Sequence, residues 1–337
     1  MRYLTRRAGA SLAALIAASA AQAEAPAVMT ETPVTHALVS QVMGALGTPG
    51  LLLDRGGDPH HFQLRPTQAR ALARADLVVW IGPDLTPWLA RTAETLANAR
   101  VLELLGVPGT HLQPYAEASL LGGGEAHHGH DDHDHDHGHD DHGDEHEDHG
   151  HDHHDHGHGH DHAHGADDPH AWLDPGNASL WLSAIAAELS ALDPANAATY
   201  QANAQAGQAQ VAALAEELED LYAPVRETGI VVYHDAYGYL AERFGLNILG
   251  SVTLGDAAAP GAARISRIRA NLVQAGAECI FPEANHPDAY VALVTEDSAL
   301  RVGRPLDPAG MMLDPGSGLY EVLMREMAAA IADCAAG

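Results

Sequence analysis

The chain contains no lysine, and its 17 basic residues, all arginine, stand against 46 acidic residues. The formal net charge is -29 at pH 7. Negative charge of this size repels nucleic acid and anionic membrane surfaces, so we expect neither as a partner. After residue 23 the sequence also lacks any apolar run of about 18 residues, so we expect no membrane-spanning helix. No cysteine follows residue 23 directly, so we also expect no lipid anchor and hence no direct membrane anchor.

Cysteine is nearly absent, since Cys279 and Cys334 are the only two. Three arginines close to the N-terminus, the apolar stretch 8–20 and the cleavage pattern Ala21-Gln22-Ala23 predict a secretory signal over residues 1–23. We therefore expect a periplasmic protein. In that oxidising compartment the default state of two cysteines is one disulfide.

The most unusual feature is a tract rich in histidine and aspartate, residues 125–167. Between Glu125 and Asp168 there are 18 histidines and 16 acidic residues, with no arginine. Neutral imidazole is a common ligand for zinc and similar divalent metals. The tract has too few apolar residues to offset the entropy cost of ordering, which predicts a disordered, multivalent metal collector. The alternative is a solvated polar linker, but a linker does not need so much imidazole.

The rest of the chain alternates short apolar runs with amphipathic stretches, which predicts an α/β fold with parallel sheets covered by helices. We expect an N-terminal lobe over residues 24–192, a linker helix over 193–222 and a C-terminal lobe over 223–337. Strands are predicted at 50–53, 77–81, 101–104, 230–233, 247–252, 279–281 and 301–306. Helices are predicted at 33–46, 67–74, 85–97, 177–192, 236–244, 262–275, 287–299 and 318–334.

The linker helix is predicted to be unusually long and to join the two lobes. Asp193 is expected to be its N-cap, with Pro194 at the first helical position, and Asn177 is expected to cap the preceding helix. At about 1.5 Å per residue, the stretch from residue 194 to 222 reaches roughly 43 Å.

Seven histidines lie outside the tract, and three of them occupy loops where a strand ends or a proline makes a turn. These are His60, His170 and His234. Ligands of open α/β sheets bind at the carboxyl ends of strands, so three imidazoles from separate loops could meet in one crevice. A single loop histidine is more often an exposed polar residue, and the prediction rests on the set of three.

Several segments together resemble the metal-binding solute receptors of ABC importers, most closely their periplasmic zinc receptors. The segments are Asp58-Pro59-His60, LRPTQARALARADLVVWIGP (64–83), DPHAWLDP (168–175), YHDAYGYLAERFGL (233–246), CIFPEANHPD (279–288) and LDPAG (306–310). The resemblance implies two Rossmann-like lobes with parallel sheets, one long rigid helix joining them, and a metal site in the cleft between the lobes.

The resemblance also implies which residues bind the metal. The ligands carried over are His60, His170 and His234, with Asp307 as the fourth. Glu283 is the second choice for that position, as an alternative or orienting residue, and water is the third option. A nitrogen-rich site of this kind favours Zn²⁺ over Mn²⁺. The two cysteines match a disulfide found in some zinc receptors.

The expected function is a monomeric periplasmic receptor that captures Zn²⁺ and delivers it to the permease of an ABC importer. One alternative is a periplasmic zinc buffer or chaperone without a permease, which the tract fits equally well. Another is a zinc-dependent hydrolase, because three histidines and an open position also describe catalytic zinc. However, the sequence has no H-E-x-x-H, G-x-S-x-G or P-loop motif, and no motif supplies the base that a hydrolase needs.

Overall fold

The structure is a computed structural model that describes residues 25–93, 99–115, 167–253, 261–272 and 274–337. The predicted signal sequence and all of the tract except Asp167 lie outside these ranges. Among the helices in the described ranges, none is long and apolar enough to cross a membrane.

Two four-stranded parallel sheets confirm the predicted α/β class. The first sheet has the order β2-β1-β3-β4 and the second has the order β6-β5-β7-β8, so both lobes share one topology. The first contains β1 (Val28–Thr30), β2 (Gly50–Leu51), β3 (Leu77–Trp80) and β4 (Arg100–Glu103). The second contains β5 (Gly229–Val232), β6 (Ile248–Ser251), β7 (Ala277–Ile280) and β8 (Arg301–Val302).

Helices alternate with these strands along the chain. Those of the N-terminal lobe are α1 (Pro33–Met43), α2 (Pro66–Leu72), α3 (Pro87–Ala93) and α4 (Pro175–Leu192). The linker helix is α5 (Ala197–Tyr222). Those of the C-terminal lobe are α6 (Gly238–Phe244), α7 (Ala262–Leu272), α8 (Ala289–Thr295) and α9 (Leu319–Ala336).

The central strands β3 and β5 are buried along their whole length, and alternate residues pack in different cores. In β5, Ile230 and Val232 join a large central core, whereas Val231 faces a separate outer core. Side chains along a strand alternate between the two faces of the sheet. His234, two residues beyond Val232, therefore continues the face that packs in the core shared by both lobes.

The long helix α5 packs against α1 and α4 of the first lobe and against α9 of the second. Its 26 residues span about 39 Å. One stripe of buried residues at three- and four-residue spacing makes these contacts: Tyr200, Ala204, Gly207, Val211, Leu214, Leu218 and Tyr222. The helix thus joins the lobes through a shared core, which fits the rigid connection that the resemblance implied.

Two predicted helix caps were wrong, and one strand was missed. Helix α4 begins at Pro175, and its N-cap is Asp174, whose side chain accepts a hydrogen bond from Gly176 N, instead of Asn177. Asp193 does not cap α5, because a 3₁₀ turn precedes that helix and the Asp193 carboxylate accepts from Tyr200 Oη at 3.0 Å. Strand β1 was not predicted because it has only three residues, and its position depends on the pairing with β2 and β3.

The predicted disulfide between Cys279 and Cys334 is present, with the two Cα atoms 6.2 Å apart. It connects β7 to α9, and both sulfurs are in the central core.

A buried carboxyl group lies at the end of β1. Glu31 is fully buried, and its Oε1 accepts a hydrogen bond from Ile81 N at 2.5 Å. Its Oε2 accepts from Thr35 Oγ1 at 3.0 Å. Burial raises the pKa of Glu31 from 4.5 to about 7, because the charged form loses its solvation and the hydrogen bonds only partly compensate.

This raised pKa predicts a pH-dependent difference between the native protein and Glu31→Gln. As pH rises from about 4.5 to about 7, the unfolded chain loses the Glu31 proton before the folded chain does, so the native protein loses stability. Glutamine has no such proton. Relative to the variant, the native protein should lose on the order of 3 kcal/mol of unfolding free energy across this range.

Urea unfolding at several pH values would measure this difference. Replacing the exposed Glu326 with glutamine is the control, and it should shift stability without this pH trend. Parallel stability curves for the native protein and Glu31→Gln would contradict the assignment.

Candidate metal site

Two Asp-Pro-His tripeptides form matching turns in the first lobe. In each, the aspartate Oδ1 accepts a hydrogen bond from the histidine backbone N at 2.9 Å, with Asp58 paired to His60 and Asp168 paired to His170. The turns differ in the second bond. Asp168 Oδ1 lies 2.7 Å from His170 Nδ1, whereas the other oxygen of Asp58 faces His61 Nδ1 at 3.1 Å.

The histidine of the second lobe is held in the same manner by a neighbouring strand. His234 follows β5 and Glu283 follows β7, which is paired with β5 in the sheet. His234 Nδ1 lies 2.5 Å from Glu283 Oε1, and Tyr237 Oη donates to the same oxygen at 3.2 Å. Glu283 is 2% exposed, so its carboxylate is committed to these buried partners.

The three predicted histidines converge between the lobes. The ring centroids of His60 and His170 are 5.6 Å apart, and those of His170 and His234 are 5.2 Å apart. The Nε2 atoms of His170 and His234 are 3.4 Å apart. Two ligands of a tetrahedral zinc ion with Zn–N bonds of 2.0–2.1 Å are separated by about 3.3 Å, so these two nitrogens are at ligand spacing.

The carboxylate partners also decide which ring nitrogen is available. A carboxylate oxygen facing Nδ1 makes that nitrogen the hydrogen-bond donor, and Nε2 then presents its lone pair. This applies to His170 through Asp168 and to His234 through Glu283. Metal-binding histidines are commonly held by such carboxylates. The arrangement therefore suits a divalent cation bound through both Nε2 atoms.

Asp307 lines the same pocket but is tied to its own turn. Its Oδ1 accepts from Met311 N at 2.8 Å, and its Oδ2 accepts from Met312 N at 2.7 Å. Burial raises the pKa of Asp307 above 3.8, and the two backbone hydrogen bonds act in the opposite direction. Each oxygen keeps a lone pair for another partner, so Asp307 is available as an oxygen donor.

One pocket thus brings together all five predicted site residues: His60, His170, His234, Glu283 and Asp307. His61 is exposed and is absent from the pocket lining. In the part of the chain that the structure describes, no group of three or more His, Cys, Asp or Glu side chains is already arranged to hold an ion.

Sequence reasoning missed two features of the pocket. His286 lines it beside the three predicted histidines, and the Asp168 carboxylate holds His170. The repeated Asp-Pro-His tripeptide was a usable signal for Asp168. For His286 the only signal was its position three residues after Glu283.

Contacts between the lobes surround the pocket. Gly56, in the loop that leads to His60, donates its backbone N–H to Met311 O at 2.9 Å. Arg55 pairs with Asp314 at 2.8 Å. On the other side, Trp172 Nε1 donates to Pro308 O at 2.8 Å. The first two bonds hold the loop before His60, and the third holds the segment after His170, against the turn that contains Asp307.

A family model for ZnuA, the periplasmic component A of the zinc-uptake complex, matches residues 28–334. The chain belongs to the ZnuA family. It is 51% identical over 319 residues to the high-affinity zinc uptake system protein ZnuA of Paracoccus denitrificans, covering 94% of each chain. It is 38% identical to the Brucella abortus protein of the same name, covering 89% of this chain and 88% of that one.

Solved structures share the fold of this ZnuA family member. The periplasmic zinc-binding protein TroA of Treponema pallidum superposes with a TM-score of 0.71 at 19% identity, covering 92% of this chain and 99% of TroA. The solute-binding protein FpvC of Pseudomonas aeruginosa, solved with Mn²⁺, superposes with a TM-score of 0.70 at 20% identity, covering 92% of this chain and 98% of FpvC. These similarities confirm the two-lobed fold.

Proposed function

We propose that this protein is a periplasmic receptor that binds Zn²⁺ between its lobes and delivers it to the permease of an ABC importer. The observation that carries the proposal is the 3.4 Å spacing of the His170 and His234 Nε2 atoms, each on a ring held by a buried carboxylate. His60 is the third proposed ligand. It lies four residues after Gly56, whose backbone N–H donates to Met311 O of the other lobe. The zinc-uptake names of its relatives support the same cargo.

Asp307 is our choice for the fourth ligand, with water as the competitor. Glu283 is better placed to orient His234, because its Oε1 already accepts from His234 and Tyr237. Three imidazoles and one carboxylate form a nitrogen-rich set that favours Zn²⁺ over Mn²⁺. One structural neighbour was solved with Mn²⁺, so the affinities of this protein for Zn²⁺ and Mn²⁺ should be compared directly.

The tract is proposed to collect metal for this site. The two described ends of the chain on either side of residues 116–166 are adjacent in the fold, since Pro114 pairs with Asp167 and Asp168 N donates to Gln113 O at 2.8 Å. Both ends meet at the residue that holds His170. The segment that contains the tract therefore starts and ends beside Asp168, and we propose that it passes metal to the site. A segment of this composition pays an ordering cost at each binding event, so we expect its sites to be weaker.

Zinc titration against a competing chelator tests the proposal. The native protein should show one tight phase and several weak ones. Deletion of residues 125–166, which keeps Asp167 and its pairing with Pro114, should remove the weak phases and leave the tight one. Loss of the tight phase on deletion would contradict a site between the lobes.

A reconstituted importer separates a receptor from a zinc buffer. The zinc-loaded protein should stimulate ATP hydrolysis by the importer in proteoliposomes, whereas a buffer without a permease should have no effect. The relatives are uptake-system proteins, which supports transport and not catalysis. We also propose that the protein is exported through a signal sequence at residues 1–23 and that it is a monomer.

A further inference from the structure

A fourth imidazole lies on the open side of the pocket. The His286 side chain is 25% exposed, whereas the His170 and His234 side chains are 3% and 9% exposed. Its ring centroid is 6.2 Å from that of His234. His286 is therefore the more solvent-accessible neighbour of the buried His234 ring.

The contacts of His286 hold its ring at the pocket without using it as a structural hydrogen-bonding group. The ring stacks on Tyr233, with 4.6 Å between centroids and 23° between planes. Its Nε2 lies 3.6 Å from Glu283 Oε2, which is too long for a hydrogen bond. Glu283 thus has one oxygen on His234 and its other oxygen facing His286.

We propose that His286 is a transit ligand, a metal-binding residue that contacts Zn²⁺ on its way into and out of the site but not in the bound state. The proposal rests on the proposed function. Hydrated Zn²⁺ must exchange its waters for protein donors, and it does so in steps because zinc accommodates a fifth ligand. An imidazole at the mouth can replace one water before the ion reaches His234. Asp58, Glu283 and Asp307, which also line the pocket, favour a cation there.

A transit ligand has a kinetic signature that a structural residue does not have. It lowers the barrier between free and bound metal, and one barrier governs both directions. Removing it slows association and dissociation by the same factor and leaves the dissociation constant unchanged. A residue that merely supports Glu283 and His234 would instead stabilise the bound state, so its loss would speed zinc release and weaken binding.

Two variants of the full chain test the proposal. His286→Gln removes the ring, and His286→Phe keeps an aromatic ring on Tyr233 but cannot bind metal. The slow phase of zinc release to excess chelator gives the dissociation rate, and equilibrium competition gives the affinity. Both variants should release zinc at least five-fold more slowly, with affinity unchanged within two-fold.

The control is His111→Gln, which removes a half-exposed imidazole that does not line the pocket. It should leave both quantities unchanged. An unchanged release rate in the His286 variants, or faster release with weaker binding, would overturn the transit role while the receptor function stands. If the native protein showed no tight zinc-binding phase, both the transit role and the receptor function would be contradicted.

Discussion

Replacing His170 with alanine is expected to weaken tight zinc binding by more than about 100-fold, and His234→Ala should do the same. Loss of a residue that merely orients a ligand typically costs 10- to 100-fold in metal affinity, and loss of the ligand itself costs more. The two Nε2 atoms are 3.4 Å apart and buried, so solvent cannot easily replace either donor. Competition with a chelator of known affinity measures the effect.

Substitution of the carboxylates that hold these two rings should weaken zinc binding less than loss of a ring does. Asp168→Asn keeps an oxygen for the His170 backbone N and ring but removes the charge, and Glu283→Gln does the same for His234. We expect each to weaken zinc binding by roughly ten-fold. Asp307→Ala should have a smaller effect than His234→Ala, because water can take the fourth position.

The matched control for the ligand variants is His111→Ala. His111 is a half-exposed histidine that faces Asp174 and Glu242 and does not line the pocket. Its loss should not change the tight phase. A tight phase that survives His234→Ala would show that the C-terminal ligand is misassigned. Zinc-dependent hydrolysis that is lost in the same ligand variants would favour an enzyme.

Reduction of the Cys279–Cys334 disulfide is expected to lower the free energy of unfolding by about 4 kcal/mol. The two cysteines are 55 residues apart in sequence, and the chain-entropy relation gives this magnitude for a loop of that length. The bond joins β7 to α9, and both residues are buried, so the folded chain gains no compensating freedom when it is cut.

Urea unfolding with and without reductant measures this cost. The double variant Cys279→Ser, Cys334→Ser is the control, since reductant should have no effect on it. Tight zinc binding should persist under reducing conditions, because Glu283 lies beyond the end of β7 and contacts neither sulfur. Equal stability of the native protein with and without reductant would contradict the prediction.

The regular part of the fold was predictable because its signals are local. Apolar runs such as 77–81 and 230–233 predicted β3 and β5 within a residue at each end. The caps were less predictable, because Asp174, Asn177 and Asp193 all have the chemistry of a cap. Which of them caps depends on distant partners: the Asn177 side chain accepts from His111 N, 66 residues away in sequence.

By itself, the sequence determined that the chain is a strongly acidic α/β protein with one pair of cysteines, a histidine-rich tract and three histidines at strand ends or proline turns. These properties depend on composition and on neighbouring residues. The tertiary structure alone decided which carboxylate holds which ring, that Asp307 bonds to its own turn, and that His286 joins the pocket. His234 and Glu283 are 49 residues apart, and a strand pairing brings them together. Side chains that far apart meet only when whole elements pack, and no local pattern encodes that geometry.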